Sequence, residues 1–344
     1  MKTSLRDYRS SFRDRVLELL WRQWTSVGVS GHGDTWHGVP IDPEALILLT
    51  CTAGRSDARL FDAMLEWFGV NGQYVNVQRL KRIIATEKFA GEQVVRAVAA
   101  TTRDSVSATK WTTTAVADHE GEPLPLFYLK DGRPLPTVGE HDSVFKKHGL
   151  LRDRYEARGV VQAFRPEPAA NLAMRLRAFL GVNARCEIIM YLLLNERGSP
   201  SSLARDVYYS PLTITKAMAE MRDSGYLASR MNGRRRDHRL VPSGWRDLLL
   251  EDERPTWIVW PRLFRALEAL WLFLRDTDLL EKERLAQASS LRRLLLGSVV
   301  DNAETAGLDI AFGDLTAHPG ERLIPFAIER TEHLFGLIER AGAG

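Results

Sequence analysis

Five arginines fall within residues 230–239, at positions 230, 234, 235, 236 and 239, against one acid, Asp237. A guanidinium stays charged and offers a fork of N–H donors, so this cluster suits a polyanion such as a phosphate backbone. About fifteen residues upstream, the run PLTITKAMAEMRDSG presents Thr213, Thr215, Lys216 and Ala219, with Ser210 just ahead of it. Small hydroxyls and a single cation are the groups that can approach base edges in a groove. The chemistry on offer is recognition, without bond-making. The chain has no phosphate-cradling glycine loop, no G-x-G-x-x-G after a strand, no G-x-S-x-G and no H-E-x-x-H, so neither an enzyme nor a cofactor is expected. His32, Asp34 and His37 are each capable of holding a metal, but their spacing matches no closed zinc framework, and the glycine-rich setting reads as a turn ahead of a helix capped at Asp42. His141, Asp142 and His148 are similarly scattered and are expected at the surface, and Glu251-Asp252-Glu253 in a solvated charged linker.

Those recognition groups need a rigid base. The segment RCEIIMYLLLNER buries a broad apolar face through Ile188, Ile189, Tyr191, Leu192 and Leu193. Gly198-Ser199-Pro200 ends it and opens a second short helix, SSLARDVY, with Leu203, Ala204 and Val207 inward. Ser210 then caps a third helix, Pro211 takes its first position, and Ile214, Ala217, Met218 and Met221 form its inward stripe. Gly225 permits the left-handed turn that stops it. YLASRMNGRRRDHRLVP changes to strand character, and Asn232-Gly233 is a preferred two-residue hairpin pair. With that loop, Met231 faces Arg234, Arg230 faces Arg235, Ser229 faces Arg236 and Leu227 faces His238. The opposition of Arg230 and Arg235 costs stability that a passing polyanion would relieve.

In this order of elements, residues 183–240 resemble the winged helix-turn-helix superfamily, in the style of ArsR- and MarR-like bacterial regulators. The resemblance is carried by SSLARDVYYS, PLTITKAMAEMRDSGYL and SRMNGRRRDHRLVP, roughly sixty of the 344 residues. It implies that Ser210, Thr213, Thr215 and Lys216 meet the major groove of double-stranded DNA and that the arginines of the wing meet phosphates. The cysteine pair with which some ArsR-like proteins sense metals is not visible. The full candidate set is Ser210, Thr213, Thr215, Lys216, Arg230, Asn232, Arg234, Arg235, Arg236 and His238.

The rest of the chain sets the context. Net charge is only +3, but residues 171–250 hold thirteen Lys or Arg against seven Asp or Glu, while the remainder is net negative. Cys51 and Cys186 sit in apolar helical runs and read as reduced core residues. No stretch reads as a signal peptide or a membrane span, so a cytoplasmic protein without membrane partners is expected. The expected fold class is mainly α and multi-domain: an N-terminal helical domain over 1–102, a linker region over 103–169, a winged helix over 170–250, and a C-terminal helical domain over 256–344. Helices are expected at 4–26, 42–53, 57–69, 76–86, 91–102, 170–180, 257–275, 278–306 and 321–341, with a short hairpin of Phe127–Leu129 against Pro134–Val138. The stripe Trp257, Trp260, Phe264, Leu267, Leu270, Trp271, Leu274 reads either as domain core or as a homodimer interface suited to a palindromic operator. Trp21, Trp24, Trp36 and Trp67 enrich the N-terminal set, which reads as an effector pocket or a partner surface. The expected function is sequence-specific DNA binding that regulates transcription. Its rivals are an adaptor or antitoxin-like partner that docks an acidic protein through the wing, and a metal-dependent enzyme built on His32, Asp34 and His37.

Overall fold

A computed structural model describes residues 4–31, 34–102, 108–117, 119–232, 235–241, 244–250 and 255–343. The chain is mainly helical, with four short strands among these residues. The first four helices are each capped by a side chain. Ser4 caps α1 (Leu5–Ser26), Asp42 caps α2 (Pro43–Thr50), Asp57 caps α3 (Ala58–Asn71) and Asn76 caps α4 (Val77–Glu87), each side chain accepting a first-turn N–H. α5 follows at Glu92–Thr101. All eight residues of α2 are buried, so this helix is the central rod of the body.

Residues 108–169 depart from the linker expected there. Short helices α6 (Ala108–Trp111) and α7 (Ser143–Lys147) and a two-stranded parallel pair, β1 (Leu124–Pro125) with β2 (Leu150–Leu151), fold back onto α3 and α5. Trp111, Leu126, Phe127, Phe145 and Leu150 enter the main core. Arg55 holds this irregular backbone, donating from Nε to Leu126 O at 2.6 Å and from Nη2 to Pro125 O at 3.0 Å. The expected hairpin is present in short form, as an antiparallel bridge of Tyr128 with Pro134 flanked by hydrogen bonds from Leu129 N–H to Arg133 O at 2.7 Å and from Leu135 N–H to Phe127 O at 2.9 Å. His148, expected at the surface, is buried, and Asp142 caps α7.

α8 (Leu172–Leu180), α9 (Ala184–Asn195), α10 (Pro200–Asp206), α11 (Pro211–Asp223), β3 (Leu227–Asn232), β4 (Arg235–Leu240) and α12 (Trp245–Leu250) form a central unit with a core of its own. Beyond it, α13 (Trp260–Arg275), α14 (Thr277–Leu280), α15 (Arg284–Leu294), α16 (Val300–Glu304) and α17 (Leu323–Ala343) return to the first core. The N-terminal and C-terminal segments are thus one body around one hydrophobic core, where two separate domains were expected. α13 packs on α1 and α2, Trp260 donates to Pro40 O at 2.7 Å, and Phe12 meets Phe335 of α17 edge-on at 5.4 Å. The expected helix 278–306 is broken after Leu280 and contains a π-helical turn at Leu295–Val299. At the far end Gly342 accepts from the N–H groups of His37 and Gly38, and a Cβ there would sit 2.2 Å from the Trp36 ring. Glycine is required for that close approach.

The aromatic stripe of α13 is spent inside the chain. Trp260, Phe264, Leu267, Leu270, Trp271 and Leu274 are all buried in the common core, so of the two readings of this stripe the structure has it as core and not as a homodimer interface. Cys51 and Cys186 are free and buried. No helix among the described residues is long and apolar enough to cross a membrane.

Candidate nucleic-acid interface

The central unit is assembled by local signals. Asn183 caps α9, and Ser199 and Ser202 form a reciprocal capping box at the start of α10. Ser210 caps α11, accepting from Thr213 N–H at 3.1 Å, with Pro211 at the first helical position. Ile214, Ala217, Met218 and Met221 face inward as the spacing predicts. Gly225 takes φ +84° and releases the chain into the ribbon of β3 and β4. The backbone groups of Gly198 and His238 exchange hydrogen bonds of 3.1 and 2.9 Å, which pin the ribbon to the loop between α9 and α10.

Two exposed surfaces result. On α11, Leu212, Thr213, Thr215 and Lys216 are exposed, with Lys216 the one cation of the first two turns. The second half of α11 is charge-balanced, since Glu220 pairs with Arg185 and Asp223 with Arg222. Ser210 is half-buried and its hydroxyl shares a 2.6 Å hydrogen bond with that of Thr213, so its first duty is the cap. On the ribbon, Arg230, Arg236 and Arg239 are exposed, and none is ion-paired among the described residues. A groove of about 500 Å³ runs along one side of the ribbon, lined by Arg197, Arg230, Arg239, Asp237 and His238. Pairing by alternate faces puts Arg230 and Arg239 on this side and Arg236, beside Met231, on the other.

The register differs from the expected one. Leu227 pairs with Leu240, Ser229 with His238, Arg230 with Asp237, Met231 with Arg236 and Asn232 with Arg235. The slip of two residues puts two aliphatic side chains opposite each other at the base. It also replaces the expected opposition of Arg230 and Arg235 with an Arg230–Asp237 pair of opposite charge, so no polyanion is needed to relieve the ribbon. Of the candidate residues, Arg234 lies outside the described residues, and Asn232 and Arg235 are placed by their backbone alone. His238 is corrected. It is only 5% exposed, its Nδ1 lies 3.0 Å from Ser229 Oγ, and burial, followed by Arg236 and Arg222, holds its pKa below the ordinary value. Its ring anchors the ribbon and presents little surface to a ligand. Two exposed residues escaped the sequence reading. Arg197 stands beside the ribbon because of the Gly198–His238 bridge, and Leu212 shares a helical face with Thr215 and Lys216.

The turn ahead of α11 is bolted to the body. Tyr208, at φ +57°, inserts into the body's core and donates its hydroxyl proton to Glu87 at the end of α4. Asn76 donates to the Tyr209 hydroxyl, and Arg79 Nε donates to Val207 O at 2.9 Å. Behind them lies a buried ionic cluster. Glu44, fully buried, takes Arg79 at 2.6 Å and both terminal nitrogens of Arg177 at 2.7 and 2.8 Å. Arg79 also forks onto Asp42 at 2.8 and 2.6 Å, and Arg177 reaches Glu187 at 2.7 Å. Burial pushes the Asp42 carboxyl up, but the Arg79 guanidinium overrides it and leaves the group below its ordinary value. Burial alone would weaken the two guanidinium charges, and the surrounding carboxylates hold both of them firmly protonated. Arg177 and Glu187 belong to the central unit and Asp42, Glu44 and Arg79 to the body, so the cluster fixes one on the other.

The metal-binding rival finds little support in position. His32 lies outside the described residues, while Asp34 and His37 are exposed and His37 Nε2 is 2.6 Å from Thr35 Oγ1. Among the described residues no three His, Cys, Asp or Glu side chains gather as a metal site would require. Glu251, Asp252 and Glu253 also lie outside the described residues. Comparison with protein-family models, curated proteins and solved structures returned no match.

Proposed function

We propose that the chain binds double-stranded DNA through a winged helix-turn-helix formed by α9, α10, α11 and the ribbon, and regulates transcription without catalysis or a cofactor. The observation that carries this reading is a set of exposed cations on one folded unit. Lys216 and the Leu212–Thr215 face of α11 stand on the same unit as Arg197, Arg230, Arg236 and Arg239. In this reading α11 enters the major groove, where Thr213, Thr215 and Lys216 meet base edges and Leu212 packs on a thymine methyl. The ribbon arginines and Arg197 lie along the phosphates.

Competitive selection from random duplexes, followed by titration at several salt concentrations, tests it. Alanine at Arg230, Arg236 and Arg239 weakens binding to all sequences. It also flattens the dependence of log K on log salt by roughly 0.9 for each phosphate left without its arginine. Lys216→Ala relaxes sequence preference instead. An unchanged salt slope in the triple variant removes the ribbon from the interface. A second reading, docking of a protein partner, is favoured by the exposure of Leu212 at 79% and Met231 at 57%. Binding of an acidic protein that excess duplex DNA fails to displace would establish it in place of the first.

A further inference from the structure

We infer that the body carries a binding site for a small hydrophobic carboxylate on the side of α4 turned away from the central unit. A cavity of about 570 Å³ opens between α4, α5 and residues 113–116, a size ordinary for small-molecule sites. Its apolar lining comes from Ile84, Phe89, Val95 and Val116. Its charges are Lys81, Lys88 and Arg96 against one acid, Glu92, and that acid is already paired with Arg96 at 2.8 Å. Lys81 Nζ donates to Thr113 Oγ1 at 2.8 Å, which holds it at the rim. Lys88 ends α4 at φ +60°, a conformation in which glycine is the usual residue, and is exposed. Thr114, 7% exposed, closes part of the wall. An apolar floor under two lysines matches an organic acid in both of its parts.

The position of the site gives it a consequence. At about 100° per residue, Lys81 and Ala85 lie across the helix from Arg79 and Glu87. Arg79 and Glu87 are the α4 residues that grip Val207 and Tyr208 ahead of α11. A ligand in the cavity therefore packs on one side of α4 while the turn before α11 packs on the other. This coupling rests on the DNA-binding reading, whereas the binding site itself does not.

Isothermal titration with a panel of carboxylates from benzoate to decanoate tests the site in the absence of DNA. The expected result is saturable binding of at least one acid at a single site, with no binding of the matching alcohol. Lys81→Met and Lys88→Ala each lower the affinity roughly tenfold while leaving the unfolding transition in place. Absence of saturable binding across the panel, or binding that both variants leave intact, overturns the proposal. Duplex affinity measured with and without the bound acid then reports coupling. Acid binding without any change in duplex affinity refutes the coupling through α4. Failure of the chain to bind any duplex, with or without the acid, refutes the DNA reading while the acid site stands.

Discussion

Glu44→Gln removes one buried negative charge at almost constant volume, and the geometry fixes what that does. Four donors converge on the carboxylate. Asn76 N–H at 2.6 Å and Arg177 Nη1 at 2.7 Å reach Oε1, and Arg79 Nη1 at 2.6 Å and Arg177 Nη2 at 2.8 Å reach Oε2. A glutamine presents one oxygen and one NH2. Whichever way it turns, two donors face another donor. Asp42 and Glu187 still balance the charges of Arg79 and Arg177, so the damage is lost hydrogen bonding. Two charge-assisted bonds at about 1.5–3 kcal/mol each give a loss of about 3–6 kcal/mol. That agrees with the roughly 3–5 kcal/mol typical of a broken buried ion pair, and is a large part of a domain's total stability. Urea unfolding followed by far-UV circular dichroism measures it as a shift in midpoint at constant slope. Hydrogen exchange should show protection falling more in α8 and α9, which hold Arg177 and Glu187, than in α1 and α3. A loss under about 1 kcal/mol, or equal protection changes throughout, would refute the claim that this carboxylate clamps the central unit to the body.

Two further outcomes follow from buried groups. Glu268 of α13 is fully buried, and burial pushes its carboxyl up to about 7 against the pull of Arg265 and the Ala90 N–H. The folded state therefore holds this proton more tightly than the unfolded state, whose value is near 4.5, so this group's contribution to stability is full below 4.5 and is lost as pH rises toward 7. Relative to Glu268→Gln, the native protein should lose about 3 kcal/mol between pH 4 and pH 8, and parallel stability curves for the two would contradict this. Burial also pushes Cys186 up to about 11 and Cys51 higher still, so at pH 8 neither should react with a disulfide reagent until urea unfolds the chain. Rapid labelling of either thiol in native buffer would count against their enclosure.

What the sequence revealed was whatever depends on neighbours in the chain. The caps at Asp42 and Ser210 and the inward stripe of α11 are local, and they lie where spacing and residue type put them. The ribbon was legible as a ribbon but its register was not, because a slip of two residues keeps every side chain on the same face. Contacts beyond the ribbon's own alternation, such as the Gly198–His238 bridge, accompany the observed register, and His238 is buried where a ligand-facing group was expected. Residues 108–169 read as a connection because their prolines and threonines break helical spacing. What buries them is distant: Arg55 serves carbonyls 70 and 71 residues away. The α13 stripe carried the signature of either a core or an interface, and only its packing on α1 and α2 tells them apart. Glu44 and Arg177 lie 133 residues apart, beyond the reach of any spacing rule.

Tyr208 sets a limit on dissecting this protein. Its ring is a plug from one unit seated in the hydrophobic interior of the other, and its hydroxyl is engaged there as well. An excised stretch of residues 170–250 would carry that ring into water and leave an empty socket behind. The angle at which α11 presents itself is accordingly a property of the whole chain. Grafting the stretch onto another scaffold would transplant its side chains without their aim.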